Sequence, residues 1–259
     1  MRASTPGHWD RYWRDRRETI EEVYSNEGRI LRQFEDLPLQ GSRILEVGAG
    51  SGRDSIEIAR LGGRVYVLDY VRESFRVIRR LAREQGLDLI PICADATRMP
   101  FRDGAFQVVF HQGLMEHFRD PSPLLAENCR VLERGGHCLV DVPQRWHIYT
   151  IAKHLMILMN RWFAGWETEY SPGQLERLMR AAGFRVVRTD GTWFEPGFLY
   201  RSARYVLLRA RIARLPLYPR LPRILDAIPR AIRRRLKGTR LGLHTCAMIS
   251  VLGRKEDPL

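Results

Sequence analysis

Between residues 42 and 143, short apolar runs alternate with stretches whose apolar positions recur every three or four residues. "SRILEVGAG" reads as a first strand, and "RDSIEIARLG" as a helix ended by Gly62 and Gly63. "RVYVLDY" is a second strand, "RESFRVIRRLAREQG" an amphipathic helix stopped at Gly86, and "LDLIPICADA" a third strand. "AFQVVFHQG" continues as strand four, "SPLLAENCRVLERGG" as a helix and "HCLVDVP" as strand five. Regular alternation of this kind predicts a parallel sheet with helices on both faces and a ligand at the carboxyl edge of its strands. The pattern breaks at "QRWHIYTIAKHLMILMNRWFAGWETEY" and resumes with "SPGQLERLMRAAG", a helix capped by Ser171 with Pro172 at its first position and Gly183 as its stop. "FRVVRTDG" is then strand six and "HTCAMISVLGRK" the last strand. Residues 6 to 37 read as one or two helices, with Trp9, Tyr12 and Trp13 on one face.

The division that follows is a helical lid over 1–40 and an α/β domain over 41–259. That domain carries insertions at 144–170, an acceptor cap, and at 192–243, a basic helical segment. The whole chain's 259 residues, 44% hydrophobic, are enough to bury a full core. The amino-terminal "MRASTPGHWDRYW" lacks the apolar stretch of a signal peptide, and "LMILM" is too short to span a bilayer, so a soluble, cytoplasmic chain is expected. Cys93, Cys129, Cys138 and Cys246 are widely spaced with no CxxC, which points to neither a metal site nor a disulfide framework.

Chemistry concentrates at "EVGAGSG", where Gly48, Gly50 and Gly52 alternate directly after a strand. A dinucleotide and S-adenosylmethionine compete for such a loop. The dinucleotide fingerprint GxGxxG needs a third glycine at position 53, which is Arg53. Glu46 would repel a pyrophosphate but can accept hydrogen bonds from a cationic amino acid moiety. Asp69 ends the second strand, where a carboxylate can receive both hydroxyls of a ribose. Asp95 ends the third, where an acid can accept from an adenine amino group.

With these three strand-end acids, the glycine loop and "QGLMEHFRDP", the chain resembles class I S-adenosylmethionine-dependent methyltransferases of the group that includes quinone-biosynthesis and small-molecule enzymes. The resemblance runs from about 42 to 191 and resumes at the last strand. It implies a Rossmann-like, doubly wound, mostly parallel seven-stranded sheet with an antiparallel last strand and helical insertions at the carboxyl edge. It further implies that Glu46, Gly48, Ala49, Gly50, Ser51 and Gly52 pass beneath the methionine part of the cofactor. Asp69, with its neighbour Tyr70, would hold the ribose, Asp95 and Ala96 the adenine, and Gln112 and Gly113 would line the sulfonium side. Methyl transfer is an in-line displacement in which positioning supplies much of the acceleration. His117 is the candidate base, with His111, His147 and Tyr149 as lesser candidates. Trp9, Tyr12 and Trp13 are candidates for a lid, and His147, Tyr149, Trp166 and Tyr170 for an acceptor pocket, where Glu167 and Glu169 would either meet a cationic acceptor or stand in solvent.

The net charge of +13 is not spread evenly. From Arg201 to Arg240 there are thirteen Lys and Arg against Asp226 alone, which leaves the rest of the chain near neutral. Over 223–237 Ile224, Leu225, Ile228, Ile232 and Leu236 share one side of a helical wheel, and Arg223, Arg230, Arg233, Arg234 and Lys237 the other. This segment should overhang the active edge of the sheet. Three uses remain open: docking on an anionic membrane as a peripheral protein, binding phosphate including that of RNA, or forming a solvated helix at an interface. The expected function is methyl transfer to O, N or C of a small or amphiphilic acceptor. RNA methylation and a non-catalytic accessory role are the alternatives.

Overall fold

A computed structural model describes residues 5–15, 28–219 and 231–256. The alternation read from the sequence folds into one seven-stranded sheet. Its strands are β1 (Arg43–Val47), β2 (Arg64–Asp69), β3 (Ile90–Cys93), β4 (Phe106–Gln112), β5 (Leu132–Pro143), β6 (Phe184–Thr192) and β7 (Met248–Lys255). They lie in the order β3-β2-β1-β4-β5-β7-β6. Only β7 is reversed, pairing antiparallel with both β5 and β6. The chain winds outward from β1 through β2 to β3, then returns to lay β4 on the other side of β1. The loops after β1 and β4 therefore diverge and open a crevice at the carboxyl edge.

Helices α2 (Arg53–Arg60), α3 (Arg72–Arg83), α4 (Ser122–Val131) and α6 (Pro172–Ala181) cover the sheet. Each presents an apolar stripe, and the buried side chains fall into two cores. One, around Leu45, Val109, Met115, Val140 and Leu175, fills one face, and the other, around Ile44, Ile58, Phe75, Ile78 and Phe110, fills the second. The Ser171 cap of α6 forms as expected: its hydroxyl accepts from the Gln174 amide and the Gln174 side chain returns to the Ser171 backbone.

Three boundaries differ from the sequence reading. Helix α4 stops at Val131 rather than running through "LERGG", because buried Leu132 already pairs with Phe106. The residues up to Gly136 are absorbed as a bulge before the register resumes at Val108 and His137. The last strand begins at Met248, since Thr239 caps a short helix, Arg240–Thr245, that consumes the start of "HTCAMISVLGRK". At the amino end, α1 (Pro6–Asp15) forms, but Ile30, Phe34 and Leu39 are fully buried in the second core. The described residues 28–40 thus belong to the body of the domain, and the lid expectation rests on α1.

The insertion after β5 forms α5 (Ile148–Leu158), and the basic segment begins with α7 (Phe198–Arg209). Residues 231–236 are helical, whereas Arg223, Ile224, Leu225, Ile228 and Arg230 of the expected amphipathic helix lie outside the described residues. Of its apolar side, Ile232 is exposed and Leu236 half-buried. No helix among the described residues is long and apolar enough to cross a membrane.

Candidate active site

Strand β1 delivers Glu46 almost fully buried to the carboxyl edge, where it accepts a hydrogen bond from the Ser55 hydroxyl at 2.5 Å. The chain then turns through Gly48, Gly50 and Gly52, all at positive φ. At Gly50 a Cβ would lie 2.7 Å from the Trp13 ring, so glycine is what lets α1 rest on the loop. Gly52 serves differently: it precedes α2 in the left-handed conformation, and its missing Cβ lets Ile78 pack close. It is not among the residues that line the cavity formed here.

That cavity has a volume of about 620 Å³. Its floor is Glu46, Gly48, Ala49, Gly50 and Ser51; its flank is Asp69, Tyr70, Asp95 and Ala96; and Gln112 and Gly113 close the side toward β4. Eleven of the twelve residues expected to meet the cofactor are therefore gathered around one space. Asp69 accepts from Gly50 N at 3.0 Å through one oxygen and from Val71 N at 2.9 Å through the other, which fixes the carboxylate while leaving lone pairs on both atoms. Asp95 is exposed and held by the Thr97 amide and hydroxyl, both at 2.8 Å.

Burial shapes the electrostatics. It pushes the Glu46 carboxyl well above the usual carboxylate range, reinforced by nearby Asp54 and opposed by the Ser55 hydroxyl. Asp54 is raised to about 7 by burial, with Arg29 pulling the other way. Asp69 is also raised by burial, against the two backbone N–H groups that hold it. A pocket that crowds buried acids in this way favours a ligand that brings positive charge.

Trp9, Trp13 and His117 also line the cavity. His117 lies in a turn of 3₁₀ helix after β4, its ring 5.2 Å from that of Trp9 in an edge-on arrangement. Its Nδ1 is buried without a hydrogen-bond partner. Burial lowers its pKa below the ordinary value, with Glu167 opposing, so the ring is neutral at pH 7 and able to accept a proton. Tyr12 does not line the cavity but stacks on Phe163 at 5.4 Å, joining α1 to the insertion after β5.

The expected acceptor residues are not brought to the cavity. His147 caps α5, its Nδ1 accepting from Tyr149 N, and Tyr149 packs among Trp162, Phe194 and Phe198. Trp166 lies under the Arg119 guanidinium, and Tyr170 is buried in the core. Glu167 and Glu169 are neither solvated nor exposed to a ligand: they flank buried Lys153 at 2.6 and 2.8 Å. His111, on β4, is fully buried with both ring nitrogens unpartnered, and burial drives its pKa down to about 3.

Sequence reading missed Arg29, Asp54, Leu114 and Phe118. Leu114 and Phe118 flank "MEH" and complete the apolar wall, while Asp54 enters from the first turn of α2. Buried Arg29 donates to Asp141 and to the Gln112 side-chain oxygen, and Asp141 also accepts from Ser250 at 2.6 Å. Burial opposes the Arg29 charge, but the Asp141 carboxylate more than offsets this. Asp141 lies two residues before the end of β5, an acid near a strand end that was a usable signal; its partner 112 residues upstream was not.

A family model described as a methyltransferase domain matches residues 45–140. The ubiquinone biosynthesis O-methyltransferase of Parvibaculum lavamentivorans is 26% identical over 185 residues, covering 70% of this chain and 71% of that protein. The enzyme of the same name from Ruegeria sp. is 30% identical over 166 residues, covering 62% of this chain and 67% of that one. A SAM-dependent methyltransferase from Methanosarcina mazei superposes with a TM-score of 0.59 at 16% identity over 91% of this chain and 99% of its own, a likeness of fold. The glycine loop, the crevice it borders and these relatives agree: the chain belongs to the S-adenosylmethionine-dependent methyltransferases.

Proposed function

We propose that the protein methylates a hydroxyl of a small amphiphilic acceptor, using S-adenosylmethionine held by the residues of the 620 Å³ cavity. The observation that carries this reading is the pairing, in one space, of Glu46, Asp69 and Asp95 with His117, whose pKa burial holds below the ordinary value. The residues present fit the cofactor: buried Glu46 and Asp54 suit its cationic amino acid part, Asp69 the ribose hydroxyls, and Asp95 with Ala96 the adenine end. When bound, the cofactor supplies an electrophilic methyl group. Arg29 fixes the Gln112 side chain from behind, so that wall keeps its shape. Trp9 and Trp13 exclude water from the opening, and His117 receives the proton released by the acceptor hydroxyl. The relatives are named for methylation of oxygen in quinone biosynthesis, which favours a hydroxyl on a lipophilic aromatic acceptor. Neither RNA methylation nor a non-catalytic role is favoured by those relatives.

The test pairs calorimetric titration of S-adenosylmethionine and its demethylated product with turnover on a panel of catechol-type and phenolic acceptors. Asp69→Ala should weaken cofactor binding by about 1.5–3 kcal/mol, the cost of removing a charged acceptor. His117→Ala should lower turnover about a hundredfold or more at unchanged cofactor affinity. A folded Asp69→Ala protein with wild-type affinity would remove the ribose assignment, and a His117→Ala protein with most of its activity would remove the base.

A further inference from the structure

A second cavity, of about 930 Å³, opens where the end of β6, residues 29–35 and residues 233–238 converge. Its walls carry Arg32, Arg188, Arg233, Arg234 and Lys237, and Arg29 and Arg201 join them. The acids there are Glu35, Asp190 and Glu195. Two of these are already engaged: Asp190 accepts from the Gln33 amide at 3.1 Å and from Gly191 N at 2.7 Å, and Glu195 pairs with Arg233 at 3.1 Å. Arg234 and Lys237 make no ion pair among the described residues.

Charge alone would describe a solvated surface. Here three of the lining residues also keep a buried donor without an acceptor: Arg29 Nε, Arg188 Nε and Thr192 Oγ1. Buried donors are ordinarily satisfied, so a cluster of orphans in one basic cavity points to an acceptor-rich ligand. The frame around them is rigid. Arg188 is tied to the Gln33 carbonyl at 2.7 Å and to Asp36 at 3.3 Å, Thr192 ends a paired strand, and Arg29 is clamped to Asp141. Trp193, Phe194 and Met248 add apolar surface to the same walls.

We infer that this cavity binds a phosphate or diphosphate group carried on a molecule with an apolar part. Phosphate offers several acceptor oxygens and two or more negative charges, matching both the orphan donors and the excess of guanidinium groups. Arg29 lines this cavity and donates to Gln112, which lines the cofactor cavity, so a pair of bonded side chains links the two sites. The assignment does not depend on the methyl acceptor.

Inorganic pyrophosphate is the soluble probe, titrated calorimetrically into the full chain in chloride buffer. It should bind saturably at one site. Arg234→Gln/Lys237→Gln, at two exposed positions, should leave the melting temperature unchanged and weaken binding about tenfold or more, and Thr192→Val should weaken it about threefold or more. Phosphatidylcholine vesicles with and without phosphatidic acid form the second arm. Capture by phosphatidic acid vesicles that pyrophosphate displaces places the phosphate on a lipid; pyrophosphate binding without vesicle capture places it on a soluble molecule. Absence of saturable pyrophosphate binding, or wild-type affinity in the folded double variant, overturns the site. Asp69→Ala should leave pyrophosphate binding intact, which keeps a failure here distinct from a failure of the cofactor assignment.

Discussion

Asp54 carries a charge problem that its position in the first turn of α2 does not solve by itself. Burial lifts its carboxyl from 3.8 to about 7, even with Arg29 pulling it down. Between about pH 4 and 7 the folded protein holds a proton that the unfolded chain has released, so this residue makes stability fall as pH rises across that window and stay level above it. Asp54→Asn should therefore stabilise the cofactor-free protein at pH 8, on the order of 1–3 kcal/mol, with the gain vanishing near pH 4. Urea unfolding at the two pH values measures it; a variant equally or less stable at pH 8 would show that Asp54 is ionised at little cost. Glu46, Asp69 and Asp95 could be found from sequence because each lies within two residues of a strand end, and strand ends are fixed by local periodicity. Arg29 could not, because its role comes from bonds to Gln112 and Asp141, and nothing within its own neighbourhood marks it. His147, Tyr149, Trp166 and Tyr170 have the aromatic and polar character of an acceptor pocket near the active edge, but packing takes them instead.

Helix α5 and the loop behind it show how an insertion is anchored. Lys153 is almost completely buried between Glu167 and Glu169, Glu167 also accepts from Trp162 Nε1 at 2.7 Å, and Glu169 meets His154. Thr168 N donates to the Glu116 carbonyl at 2.8 Å, fastening the loop to the turn that carries His117. Removing the cation would strand two buried carboxylates. Lys153→Met should cost on the order of 3–5 kcal/mol and lower the melting temperature by about 10 °C. Adding Glu167→Gln and Glu169→Gln to that variant should recover part of the loss, because no unpaired charge remains. A single variant that melts like the wild type would mean the network is relaxed in solution. The regular elements were legible because strand and helix periods alternate cleanly to Pro143. The insertion was legible only as a break in that pattern, since its stability comes from pairs such as Lys153 and Glu167 that periodicity does not report.

At the scale of the molecule, apolar exposure is uneven. Apart from Leu61, Tyr70 and Val187, every large apolar side chain that stands exposed among the described residues lies between Trp146 and Leu241, in the two insertions. On α5 these are Ile148, Ile151, Leu155 and Leu158, and on α7 Leu199, Tyr205 and Val206. Strand β6 runs parallel to β5, so the connection after it leaves from the carboxyl edge, as the sequence reading expected. The described basic residues of 201–219 and 231–240 follow that connection, beside the exposed apolar positions of the insertions. Apolar side chains beside a positive field are what an interfacial surface needs on an anionic bilayer, each basic residue near it contributing about 1 kcal/mol. A lipophilic acceptor would then be met where it dissolves. The protein should co-sediment with anionic vesicles, much less with neutral ones, and release them as salt rises. Ile151→Ser/Leu155→Ser, at positions 63% and 58% exposed, should weaken vesicle binding while leaving the melting temperature and cofactor affinity unchanged. A large fall in melting temperature would mean that α5 packs against something in solution, and a wild-type protein that ignores anionic vesicles would rule out the membrane as its working surface.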